Sequence, residues 1–192
     1  MKYKKLLSII LIIFGLLIIA YPKLDETYND YKQKEILKNI EIIEKDSYDE
    51  KDYEEVLNKK AQNTTPILKI DKINLKQPIL DGATKENMAI SVTSVNPKVK
   101  PGDKGNYSIS GHRSYKHGRN FNRLNEIEKD DIIEVIYSGD EFKYKVNKKF
   151  LVKPHEVLVL DSKKNKPEIT LITCEPMYNP THRLIVQGEL IK

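Results

Sequence analysis

A run of sixteen residues without a charge, residues 6–21, determines the environment of the first part of this chain. As a helix rising about 1.5 Å per residue it would be roughly 24 Å long, slightly short of a ~30 Å hydrocarbon core. Tyr3, Tyr21 and the preceding lysines can extend the span into both interfaces. A cleaved secretory signal is the competing interpretation, but the run exceeds the usual apolar region and no small-x-small cleavage site follows it. We therefore predict a single transmembrane anchor.

The charges around this run predict its orientation. Lys2, Lys4 and Lys5 precede it, so the positive-inside rule assigns residues 1–5 to the cytoplasm and everything after Pro22 to the outside of the cell. Residues 22–63 are predicted to form a helical stalk. Apolar side chains recur there at spacings near three and four up to Ile43, and a second helical piece is expected at about residues 48–60.

From about residue 64 the pattern changes to short β-type runs interrupted by Pro, Gly, Asn and Asp. A break at residues 138–141 between two alternating runs indicates a hairpin. The fold class predicted is mainly β: a closed barrel of about eight strands, antiparallel or mixed, with helical pieces only near residues 85–92 and 120–127. Strands are expected at residues 67–70, 75–80, 106–110, 132–137, 142–151, 169–173 and 183–190.

Composition and missing motifs exclude several functions. The net charge is +5, and no segment is basic enough to indicate nucleic-acid binding. The sequence has no Gly-rich phosphate loop, no His-Glu-x-x-His helix and no EF-hand loop. Its single cysteine rules out an internal disulfide and a multi-cysteine metal site. Four acids between residues 126 and 131 could gather a divalent ion, but a solvated turn before a strand is the favoured explanation: Glu126, Glu128, Asp130 and Asp131.

Cys174 is the candidate nucleophile because it ends an apolar strand and Pro176 prevents the ladder from continuing. Only the thiolate attacks efficiently, so a basic partner is needed. His112 follows a predicted strand and Gly111, a placement that mirrors the cysteine. On position alone three other histidines remain candidates: His117, His155 and His182.

Acyl transfer also needs donors where the carbonyl oxygen becomes anionic. Arg183 begins a predicted strand nine residues after Cys174, so the intervening loop could return it to the thiol. Arginine offers a permanent charge with several directed donors. An ordinary surface ion pair is the alternative for this residue.

Three motifs together resemble the active site of sortases. Ser-Gly-His-Arg-Ser at residues 110–114, Thr-Leu-Ile-Thr-Cys at 170–174 and Arg-Leu-Ile-Val at 183–186 occur in the order and spacing of that family. The resemblance covers residues 67–192. Within the family, residues 118–124 and the short barrel are most similar to class D sortases of spore-forming Gram-positive bacteria, with class A as the nearest rival.

The resemblance implies a cysteine transpeptidase whose catalytic domain spans residues 64–192. It would cleave an LPxT-type sorting signal of a secreted protein after Thr through a Cys174 thioester, and transfer the acyl group to an amine of a peptidoglycan precursor. His112 would act as acid and base and Arg183 would stabilise the oxyanion or hold the peptide. Thr173 and Ser110 are the candidate substrate-binding residues. No cofactor or metal is predicted, and a calcium requirement is left open.

Two other functions remain open at this stage. One is a cell-envelope cysteine hydrolase, although papain-like enzymes place the cysteine before the histidine and caspase-like enzymes need a larger parallel sheet. The other is a membrane-tethered β-barrel binding module with an inert cysteine.

Overall fold

The computed structural model describes residues 2–45, 65–162 and 166–191. A long helix leads into a β-barrel, to which short helical turns are attached. The second helical piece predicted for the stalk, at about residues 48–60, lies outside the described residues.

Helix α1 (Lys2–Lys45) contains both the apolar run and the first part of the predicted stalk, and it continues through Pro22. Its Tyr3–Ile40 stretch is long and apolar enough to cross a membrane, with a mean hydropathy of 2.4 over its most apolar window. None of that window is buried against the rest of the protein. The helix therefore fits a membrane anchor or a signal sequence.

The barrel has eight strands within the described residues, as the fold class prediction expected. They close in the order β1-β2-β3-β4-β7-β8-β6-β5. Two neighbouring pairs, β2/β3 and β4/β7, are parallel and the other pairs are antiparallel. The strands are β1 Ile67–Ile70, β2 Leu75–Asp81, β3 Val92–Ser94, β4 Gly105–Ser110, β5 Ile132–Tyr137, β6 Asp140–Val152, β7 Pro167–Glu175 and β8 His182–Leu190.

Local interactions explain the hairpin and the first helical segment that were predicted from the sequence. Strands β5 and β6 form the predicted hairpin, and Ser138 and Gly139 both have positive φ (53° and 86°), as a tight two-residue turn with the twist of a hairpin requires. Helix α2 (Lys85–Ile90) begins where predicted, because the Thr84 hydroxyl accepts a hydrogen bond from the Asn87 amide at 3.1 Å.

The second predicted helical segment, residues 120–127, is reduced to a 3-10 turn at Leu124–Glu126. Phe121, Leu124 and Ile127 are fully buried at a spacing of three, which matches the 3-10 period better than the α-helical one. The core inside the barrel is built from alternate strand residues, among them Leu68, Ile109, Val135, Tyr144, Leu171 and Val186.

Candidate active site

Strand register places Cys174 directly beside Arg183. Strands β7 and β8 pair antiparallel with Cys174 opposite Arg183, so both side chains project from the same face of the sheet. Ile169 and Leu171 on the same strand are buried in the core. Alternation therefore directs Cys174 to the outer face of the barrel, where it is partly exposed.

His112 reaches the same level from the other side of β7. Strands β4 and β7 are parallel and end their ladder with Ser110 opposite Ile172. The Gly111 amide then donates to the Ile172 carbonyl at 3.1 Å, so the register continues for one more residue. Extending it once more puts His112 level with Cys174, and both border an open cleft of about 770 Å³.

Arg183 is the strand neighbour of Cys174, but it is not among the described residues that line this cleft. Its guanidinium donates to the neighbouring His182 carbonyl at 3.2 Å. The structure thus brings His112 and Cys174 into one cleft, and it holds Arg183 beside the thiol through strand pairing.

Thr173 and Ser110 lie next to these residues, and both take part in hydrogen bonds within the protein. Thr173 is 2% exposed, and its hydroxyl donates to the Gly111 carbonyl at 2.8 Å. The Ser110 carbonyl accepts a hydrogen bond from the Thr93 hydroxyl at 3.4 Å. A direct contact of either residue with substrate stays a prediction.

The three alternative histidines lie elsewhere. His117 and His155 are exposed on loops, and the Nδ1 atom of His182 is 2.9 Å from the Thr181 hydroxyl. Among the described residues, His112 is the histidine that borders the cleft with Cys174. The sequence had also favoured His112, because this residue directly follows a predicted strand and Gly111.

The surroundings of His112 favour its neutral form. The side chain has solvent access, yet the cleft walls remove part of its water, and this desolvation lowers the pKa of His112 below its ordinary value. The positive charge of Arg119 lowers the pKa further. His112 is therefore ready to give up a proton once it has received one.

Replacing Arg119 with glutamine should raise the pKa of His112. The change removes a repelling cation, and it also removes one of the two cations that pair with both the Asp30 and the Glu26 carboxylates, so both effects favour the imidazolium. An NMR titration of the His112 ring would measure the shift. Arg123→Gln is the matched control, since Arg123 pairs with Glu126 instead. A pKa of His112 that stays constant in R119Q would contradict this account.

Helix α1 forms one wall of the same cleft, a location that the prediction of a helical stalk did not specify. Residues just after the apolar run line it together with His112 and Cys174: Pro22, Lys23, Asp25, Glu26 and Asn29. Asp30 pairs with Lys116 at 2.5 Å and with Arg119 at 3.1 Å, and Gln33 donates to the Ile90 carbonyl at 2.9 Å. The i, i+4, i+7 stripe of Glu26, Asp30 and Gln33 was the available signal.

Converting Glu26 and Asp30 to lysine should detach this wall. Each exposed ion pair contributes about 0.2–1 kcal/mol, so reversing the charges shifts the docking equilibrium on the order of 10-fold. We expect faster alkylation of Cys174 by a bulky maleimide in the full chain. Glu35→Lys, an exposed position further along α1, is the control. Equal alkylation rates in all three proteins would show that α1 does not shield the thiol.

The four acidic residues between positions 126 and 131 form ion pairs with basic side chains. Glu128 and Asp131 both contact Lys72 at 2.8 Å, Glu126 pairs with Arg123, and Asp130 pairs with Lys145. Within residues 2–45, 65–162 and 166–191 no group of three or more His, Cys, Asp or Glu side chains could hold a metal ion. The solvated-turn interpretation fits these contacts.

A cysteine and a histidine that border one cleft, just beyond or at the ends of two adjacent parallel strands, place a nucleophile near a group that can transfer protons, as a cysteine acyl-transfer site requires. The sortase domain family matches residues 68–191, and the chain belongs to the sortase family of cysteine transpeptidases, which anchor surface proteins. The chain is 28% identical to sortase A of Bacillus anthracis, covering 97% of this chain and 93% of that protein. It is 26% identical to sortase D of Bacillus subtilis, covering 98% and 99%.

Solved structures agree with the fold. Sortase A of Listeria monocytogenes superposes with a TM-score of 0.62 at 25% identity, covering 67% of this chain and 88% of that one. A sortase D5 transpeptidase of Clostridium perfringens superposes with a TM-score of 0.65 at 23% identity, covering 86% and 99%. The relatives include both class A and class D enzymes, so the family is established and the class is not resolved.

Proposed function

We propose that this sortase cleaves an LPxT-type sorting signal after Thr and transfers the new acyl group to an amine of a cell-wall precursor. The observation that carries the proposal is the shared level of His112, Cys174 and Arg183 across strands β4, β7 and β8. Nucleophile, acid and positive charge within one row are what acyl transfer requires.

In the first half-reaction the Cys174 thiol passes its proton to neutral His112, and the sulfur attacks the threonine carbonyl carbon. Arg183 lies beside the thiol and supplies charge and directed donors to the oxygen as it becomes anionic. His112 gives its proton to the departing amine, the C–N bond breaks, and a thioester to Cys174 remains.

In the second half-reaction an amine attacks the thioester carbonyl. Neutral His112 takes a proton from that amine, the C–S bond breaks, and the departing sulfur takes this proton from the ring, which restores the thiol and neutral His112. The lowered pKa of His112 suits this alternation, because it disfavours a permanently protonated ring. Both halves use the same two side chains in opposite directions.

We propose that helix α1 anchors the enzyme with residues 1–5 in the cytoplasm, residues 6–21 in the membrane, residues 22–63 as the stalk and residues 64–192 outside. The lysines before the apolar run and the exposure of that run support this arrangement. Secreted proteins and peptidoglycan precursors would then meet the enzyme at the outer membrane face.

We also propose a class D assignment. The supporting features are residues 118–124 and the short barrel, because the similarity to sortase A of Bacillus anthracis is as extensive as that to sortase D of Bacillus subtilis. The described part of the connection between β6 and β7 holds only the 3-10 turn Val157–Leu160, which disfavours the long helix of class B enzymes. A panel of LPxTA and LPxTG peptides tests the preference for the fifth residue.

The function is tested by incubating the full chain in detergent with a labelled LPxT-type peptide, with and without an amine. An amine-dependent ligated product is the expected result. Release of the cleaved peptide with water alone would indicate the hydrolase. Unchanged peptide, together with a Cys174 that resists alkylation, would indicate the binding module and overturn the proposal.

A further inference from the structure

The residues that directly follow His112 and Cys174 form an ion pair. Continuing the parallel register of β4 and β7 beyond Ser110 and Ile172 brings Arg113 opposite Glu175. The Arg113 Nη1 atom donates to the Glu175 Oε2 atom. The Arg113 side chain is 6% exposed and that of Glu175 is 26% exposed, so the pair is largely shielded from water.

The Arg113–Glu175 pair is the second of two attachments that hold the residues on either side of His112. Strand β4 ends at Ser110, so His112 lies beyond the last ladder pair. On one side Gly111 is tied to the β7 segment through its amide and through the Thr173 hydroxyl. On the other side Arg113 is tied to the same segment through Glu175. His112 is thus fixed from both flanks to the strand that carries Cys174.

A role in binding substrate fits Arg113 less well. Arg113 borders the cleft, but little of its side chain is accessible, and its buried Nε atom has no hydrogen-bond partner in the described structure. A buried guanidinium held by one carboxylate is costly to leave unpaired. Such a contact is better suited to holding two segments at a fixed distance than to binding a peptide.

We propose that the Arg113–Glu175 pair is a positioning device that sets the separation of the His112 imidazole and the Cys174 thiol. The inference rests on the proposed transpeptidase function. A misplacement of about 1 Å at a reacting centre costs roughly 100-fold in rate. Loss of the pair should therefore reduce kcat on the order of 10- to 100-fold while KM changes little.

The test compares Arg113→Met, Glu175→Gln, the double variant and Arg113→Lys in the full chain. Each single removal leaves one charge unpaired and should lower stability as well as kcat. The double variant carries no unpaired charge, so it should regain stability while kcat stays low and the pH optimum shifts. R113K keeps the charge with fewer donors and should restore part of kcat.

Glu134→Gln is the matched control, because Glu134 pairs with Lys69 and Lys143 on strands away from the site. It should leave kcat unchanged. A folded double variant with the kcat and pH profile of the wild type would overturn the positioning role, and so would a raised KM with unaltered kcat. An inactive wild type would instead overturn the proposed function.

Discussion

Replacing Cys174 with alanine should abolish peptide transfer. The thioester needs the sulfur, and the described cleft offers no second thiol because Cys174 is the single cysteine of the chain. Without the nucleophile, the remaining donors can only polarise the carbonyl, so we expect kcat/KM to fall by about 10³-fold or more. The measurement is ligation of a labelled LPxT-type peptide to an amine, together with mass detection of an acyl adduct on the wild type.

The fold should survive this change. Cys174 is partly exposed at a strand end, so losing one sulfur atom leaves no closed cavity in the core. Thermal unfolding of C174A should therefore match that of the wild type within a few degrees. Continued transfer by a folded C174A protein would mean that another group or a bound water carries the reaction.

Replacing His112 with glutamine should lower kcat on the order of 10²- to 10⁴-fold. A glutamine keeps polar atoms in the cleft but can neither donate nor accept a proton in the transition state. The wild-type rate should respond to pH below the ordinary histidine value of 6.5, since the pKa of His112 is lowered, and that response should vanish in H112Q. Rates measured from pH 5 to 8 would test both statements.

The pH dependence of folding stability tests the lowered pKa of His112 independently of activity. Because the pKa of His112 is lower in the folded protein, the unfolded chain binds the proton first as pH falls. The wild type should therefore lose stability between pH 6.5 and the lower pKa of the folded state, relative to H112Q. His117→Gln and His182→Gln are controls, since neither ring borders the cleft. Loss of activity in one of them equal to that of H112Q would displace His112 from its role.

Patterns confined to short segments predicted most strands well. Residues 67–70 and 132–137 were predicted with the bounds found in the structure, because alternation and turn residues specify a strand locally. Strand β3 was missed, since three residues are too few for a recognisable alternation. The family was recognised from three short motifs, and the match over residues 68–191 confirms it.

Contacts between segments that lie far apart in the sequence were harder to predict. The parallel pairing of β4 with β7 joins segments about sixty residues apart, and strand alternation contains no information about which neighbour a strand chooses. The docking of α1 on the cleft depends on Lys116 and Arg119, which lie far along the chain from Asp30. An acidic stripe on a helix is usually a solvated face, so its partner could not be inferred.

The sequence alone determined the apolar helix, the β-rich character of the later residues and the candidates Cys174, His112 and Arg183, because each follows from side-chain type and short-range spacing. Only the tertiary structure decided that these three share a level across β4, β7 and β8, that α1 walls the cleft and that Arg113 meets Glu175. Those relations arise when barrel closure fixes the register between segments, and register is a property of paired strands that no single segment encodes.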